Sequence, residues 1–152
     1  MGILCAYDGS EIAKKTLLVA AEEALKHKTE LYILYVIDED EIKWIYRMDI
    51  STIWNGTIEE LERNVLESRR KEAEKILQTA KTDIKKKAKI KKVVTLLEKG
   101  DVAQKILEKS KELKCSFIVM GSHGLHGIKL ILGSTTAEVL RVSQIPVIVV
   151  KN

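Results

Sequence analysis

Apolar residues gather in five short runs: ILCAYD at 3–8, LYILYVID at 31–38, VVTLLE at 93–98, SFIVMG at 116–121 and PVIVV at 146–150. Each is nearly continuous rather than alternating. A strand with one wet face alternates apolar and polar positions, whereas a strand of a parallel sheet is buried on both faces and reads as an unbroken apolar run. Between the runs the period changes. Ala13, Leu17, Ala20, Ala21 and Ala24 form one stripe of a helix expected from about Ser10 to His27. From Ile58, the positions Leu61, Val65, Ala73, Ile76, Leu77, Ala80 and Ile84 trace a long helix ending near Lys87, with the stripe interrupted around Arg69 and Arg70. A further helix starts at Asp101, which forms a capping-box pattern with Gln104. A short last one spans about Thr135–Ser143, with Thr135 and Glu138 in the same spacing.

Strands thus alternate with helices, and the last element is a strand. That order predicts an α/β fold with right-handed crossovers: a doubly wound, five-stranded parallel sheet. The stretch Glu39–Thr57 has neither period and is expected to be irregular. It holds both tryptophans, Trp44 and Trp54, and a loop this long in a compact domain is a lid, a dimer contact or a variable loop. A chain of 152 residues favours a single domain, residues 1–152, which buries roughly 70% of its unfolded surface and needs no staples.

Composition narrows the function classes. No apolar run approaches the length of a membrane span, and the start carries no basic leader followed by an apolar core, so a cytoplasmic protein is expected. Cys5 and Cys115 sit in or beside apolar runs without CxxC or metal spacing and read as reduced, buried thiols. The net charge is +4, and KKKAKIKK at 85–92 holds six lysines in eight residues. No arginine fork or aromatic residue interleaves them, so the run reads as a solvated helix end, and a nucleic-acid partner is not expected.

The candidate chemistry lies in GSHGLHGIKLILGSTT at 121–136. Glycines this dense serve left-handed angles or close approach. In an open doubly wound sheet of order 3-2-1-4-5, ligands sit where the strand order reverses, between the first and fourth strands. The first apolar run ends at Tyr7-Asp8-Gly9-Ser10 and the fourth enters this glycine stretch, so Asp8 and the glycines are predicted to face one crevice. Backbone N–H groups of such a loop form an anion nest, and Gly133-Ser134-Thr135 opens a helix whose amino end attracts phosphate. The chain has no GxxxxGK[ST] and no GxGxxG after its first strand. His123 and His126 lack a cysteine or carboxylate partner nearby, so no metal site is assigned there.

These segments, ILCAYDGSEIA, LYILYVID, IVMGSHGLHGIKLILGSTTAEVL and IPVIVVK, resemble the universal stress protein family across essentially the whole chain. The resemblance is most specific at G-x-x-G, nine residues, G-[ST]; here eight residues separate Gly124 from Gly133. It implies a Rossmann-like fold of the adenine nucleotide alpha hydrolase type that binds ATP with Mg2+ or Mn2+. By the same resemblance, Asp8 and the backbone of Ala6 meet the ribose or adenine, and Val36 contacts the adenine. Met120 and Gly121 border the ribose and first phosphate, while Gly124, Gly133, Ser134 and Thr135 wrap the phosphates. Ala6 stands where many members have proline. The resemblance also implies a homodimer through Val147–Val150. The expected function is a nucleotide-dependent stress or signalling switch with no catalytic residues. The alternatives are slow ATP hydrolysis or autophosphorylation, and a dimeric interaction module that binds no nucleotide.

Overall fold

The computed structural model describes residues 1–124 and 131–152. Five parallel strands, β1 (Gly2–Ala6), β2 (Glu30–Asp38), β3 (Val93–Gly100), β4 (Phe117–Gly121) and β5 (Val147–Val150), form one sheet in the order β3-β2-β1-β4-β5. The helices are α1 (Glu11–Lys26), α2 (Glu39–Lys43), α3 (Ile58–Ala88), α4 (Val102–Glu112) and α5 (Ser134–Val142).

The continuous apolar runs feed two cores. Ile3 and Cys5 point to one face with Leu31, Ile33 and Val119, against Leu17 and Ala20 of α1 and Leu77, Ala80 and Ile84 of α3. Leu4 points to the other face with Leu34, Ile118 and Met120, against Ile106 of α4 and Val139 of α5. Successive strand residues serve opposite faces, so a doubly covered strand has no position for a polar side chain. Each fully buried aliphatic side chain contributes about 1.5–3 kcal/mol.

Five expectations need correction. β1 stops at Ala6, which leaves Tyr7 and Asp8 outside the strand, and β3 runs on to Gly100. The stretch after β2 is not irregular throughout: α2 and a 3-10 turn over Trp44–Arg47 occupy its first half. Asp38 accepts a hydrogen bond from Asp40 N and caps α2, and Ile42 and Ile45 bury beside Ile37 and Ala73. Thr135 makes no capping box, because α5 begins one residue earlier with Gly133 as its side-chain-less cap. At α4, Asp101 accepts from Gln104 N at 2.8 Å, but the Gln104 amide turns to Glu108 instead of completing a box. The best capping box is at α3, where Thr57 and Glu60 bond each other's backbone N–H reciprocally.

α3 runs unbroken where its stripe is interrupted. Its first half packs Ile58, Leu61 and Val65 on the α2 segment, and its second half packs on the sheet. Arg69 lies at the changeover and pairs with Glu41 of α2. The KKKAKIKK run forms the last turn of α3 and the turn beyond it, as expected. His126, Gly127 and most of the IKLIL run fall outside the described residues.

Candidate functional site

The site is built where β1 and β4 end side by side. Beyond β1, Tyr7 N donates to Leu34 O at 2.9 Å, so the chain follows β2 for one more residue. It then turns through Gly9 at φ +81°, an angle that favours glycine, with Ile76 of α3 packed against the place a Cβ would fill. Asp8 Oδ1 accepts from Ser10 N at 2.9 Å, and Ser10 Oγ accepts from Ala13 N at 3.2 Å as the cap of α1. The Asp8 carboxylate is thereby fixed at the start of the crevice.

Beyond β4, one bond ties the strand end to β5 and two tie it to the start of α5. Ser122 N donates to Val150 O at 2.9 Å, Gly133 N donates to Ser122 O at 2.7 Å, and Thr136 Oγ1 donates to Gly121 O at 2.8 Å. The amino terminus of α5 is held at the crevice without a side-chain cap. The first-turn N–H groups of a helix have no partner within it and attract anions. The two loops meet at Gly124, where a Cβ would lie 3.0 Å from Asp8 Oδ2. Among the described residues the loop glycines Gly121, Gly124 and Gly133 do not take left-handed angles. Their service is close approach.

Between these loops lies a cleft of about 390 Å³. All nine residues singled out from the sequence line it: Ala6, Asp8, Val36, Met120, Gly121, Gly124, Gly133, Ser134 and Thr135. They come from four separate segments, and the switch point of the sheet is what gathers them. His123 also lines the cleft, with Nδ1 3.1 Å from Ser122 Oγ. The wall opposite the glycines was not foreseen. Tyr35, Asp38, Glu41 and Arg69 line it, and Glu41 and Arg69 form an ion pair there. The acid run after β2 is a helix-start signal that could have placed Glu41, whereas Arg69 reads in sequence only as a break in a stripe.

The titrating groups under the cleft stay neutral. Burial, and secondarily the Asp8 charge, push the Cys5 thiol far above its ordinary range. Burial also raises the Tyr7 and Tyr35 phenols. No group of three or more histidine, cysteine or acidic side chains is placed to hold a metal among the described residues. No helix among them is long and apolar enough to cross a membrane. The site therefore offers a fixed carboxylate, a glycine-flanked helix start with two hydroxyls, and an apolar floor that includes Ala6, Val36 and Met120.

Residues 1–151 match the universal stress protein family. Universal stress protein YxiE of Bacillus subtilis is 33% identical over 150 residues, covering 98% of this chain and 97% of that one. Universal stress protein MJ0577 of Methanocaldococcus jannaschii is 32% identical over 148 residues, covering 87% of this chain and 88% of its own. The solved MJ0577 structure superposes with a TM-score of 0.82 at 29% identity over 99% of this chain and 95% of that chain. The universal stress protein of Archaeoglobus fulgidus, solved in complex with dAMP, shares the fold with a TM-score of 0.66 at 23% identity, covering 99% and 98% of the two chains. The chain belongs to the universal stress protein family.

Proposed function

We propose that the cleft binds ATP and that the protein acts as a nucleotide-dependent stress or signalling switch. The observation that carries this reading is the convergence of a fixed carboxylate, Asp8, and the uncapped amino end of α5 on one cleft at the switch point. The anion-attracting end is the one formed by Gly124, Gly133, Ser134 and Thr135, which would take the phosphates. Asp8 accepts hydrogen bonds from ribose hydroxyls, Val36 flanks the base, and Met120 and Gly121 border the ribose and first phosphate. A relative of the same fold in complex with dAMP supports an adenine nucleotide as the guest. Mg2+ or Mn2+ would arrive on the phosphates, since a magnesium site commonly uses one or two carboxylates plus substrate oxygens rather than a protein cage.

ATP here sets a state. Filling the cleft ties the β1 and β4 loops to α5, and any population shift is limited by the difference in affinity between the two states. The open edge strand Val147–Val150, paired on one side by β4, is the surface through which two copies would join. Val149 belongs to neither core cluster, so Val149→Lys is expected to give a folded monomer by sedimentation; an unchanged assembly would remove this edge from the interface.

A second reading, slow phosphoryl transfer to the protein, draws on the contact of Ser122 Oγ with His123 Nδ1. Incubation with γ-labelled ATP separates the two. The switch reading predicts retained ATP with no released or transferred label. Label on Ser122 or free labelled phosphate at a steady rate would replace it with the enzymatic one.

A further inference from the structure

The edge of the sheet opposite the cleft gathers lysines that the sequence scatters. Val93, Leu31, Ile3 and Phe117 lie side by side in adjacent strands. The turns entering β3, β2 and β4 therefore stand in one line, about 14 Å from first to last. Each follows a helix end: α3, α1 and α4. Residues 22–30, 81–92 and 109–116 together hold twelve of the chain's 26 basic residues and five of its 22 acidic ones. The remainder of the chain, fourteen basic against seventeen acidic residues, is net negative. The molecule is polarised, with its excess positive charge on the face away from the cleft.

Three of the five acids of this face are paired. Glu23 pairs with Lys26, Glu30 with Lys92, and Glu112 with Lys109. Lys28, Lys85, Lys86, Lys87, Lys89, Lys91, Lys111 and Lys114 are exposed and have no ion pair among the described residues. Complementing the dipoles of three helix ends needs far fewer charges, since the effect is confined to the last turn.

The turns carry a second observation. The non-glycine residues with positive φ among the described residues are Lys28, Lys89 and Lys114, at 52°, 51° and 51°. Each sits at the left-handed position that ends its helix. For α1 and α4 the bonds are those of a Schellman motif: Lys28 N to Leu25 O with Thr29 N to Ala24 O, and Lys114 N to Lys111 O with Cys115 N to Ser110 O. Glycine or asparagine suits that backbone better. Three helices accept a less suitable residue at the same place, and what the residue adds is an exposed positive charge on one line.

We infer, against the reading of the KKKAKIKK run taken alone, that the three turns together dock duplex nucleic acid through its phosphate backbone. The face has no arginine fork, and its aromatic ring Phe117 is half-buried and in contact with His27, so it offers neither base readout nor a stacking platform for single strands. Point charges on a rigid edge suffice for backbone binding, because a duplex presents one negative charge per about 1.7 Å and releases counterions on neutralisation. An anionic membrane needs a second signal beside charge for stable binding. Around these turns the large apolar side chains exposed are Met1 and Leu25, without an apolar face to insert.

The test is a salt titration of the intact protein on a short mixed-sequence DNA duplex, read by anisotropy, with vesicles of anionic phospholipid in parallel. The variant K28N/K89N/K114N keeps residues that tolerate left-handed backbone, so circular dichroism should show an unchanged fold. K85Q/K86Q/K87Q is a second variant on exposed helix positions. The expected result is duplex binding whose log–log salt slope becomes shallower by about 0.9 for each contacting lysine removed, with affinity roughly tenfold or more lower at low salt. Absence of duplex binding at low salt, or binding that neither variant weakens, overturns the inference. Lysine-dependent vesicle binding without duplex binding overturns it in favour of a membrane surface.

Discussion

Gly124 is the residue on which the cleft's shape turns. Its α-carbon stands where a side chain would press on Asp8 Oδ2, so the β1 and β4 loops can approach only because it has none. Gly124→Val is predicted to keep the fold and to weaken nucleotide binding by at least about tenfold, or ~1.4 kcal/mol, measured by dialysis. Thr135 gives a complementary test. It lines the cleft but does not cap α5. Thr135→Ala should therefore leave unfolding free energy within about 0.5 kcal/mol of the parent while lowering ATP affinity. A loss of stability instead would assign the hydroxyl to the helix. Cys115 shows the cost of burial: its thiol is pushed up to about 11. In the unfolded chain the thiol ionises near its ordinary value, so above that value the unfolded state loses its proton first. The contribution of Cys115 is full below about pH 9 and is lost as pH rises towards 11. Cys115→Ser should flatten that part of the stability profile.

At the scale of elements, the stretch after β2 divides into an anchored half and an open one. Ile45 is fully buried beside Ile42, Ile37 and Ala73, while Trp44, Tyr46, Met48 and Ile53 stay exposed. Ile45→Ala is expected to cost about 2–4 kcal/mol in denaturant unfolding, as a buried isoleucine does. A cost near zero would show that this half is not anchored. The Arg69–Glu41 pair at the same junction is part-exposed, so Arg69→Ala should change stability by less than about 1 kcal/mol and act on the cleft wall instead. The strands were legible in sequence because burial on both faces writes itself as unbroken apolar runs. α1 and α4 were legible from their stripes and caps. α2 was not, because five residues cannot display a period. Its signals were local, an acid-rich first turn behind Asp38. Nor did the capping-box spacing at Thr135 reveal that Gly133 starts the helix, since tertiary bonds from Gly133 N and Thr136 Oγ1 to the end of β4 fix that start.

The whole molecule is organised by the reversal of strand order between β1 and β4. That reversal separates two helices from the carboxyl ends of neighbouring strands and leaves room for a guest. It also explains why the candidate site was readable: each nominated residue lies at the end of β1, within β2, or in the segment from the end of β4 to α5, and parallel topology brings these to one edge. Of the far wall, Arg69 was not readable, because its place depends on how α3 packs past the sheet, whereas Glu41 had the acid run after β2 as its signal. The lysine line was hidden for a similar reason, since three turns distant in sequence become neighbours only through strand register. ATP binding at the cleft is tested by equilibrium dialysis of the intact protein against ATP with magnesium, beside Gly124→Val. Binding at the cleft predicts saturable uptake of a single nucleotide, weakened at least about tenfold in the variant. No binding up to about 1 mM ATP, where interaction free energy is only about 4 kcal/mol, would contradict it.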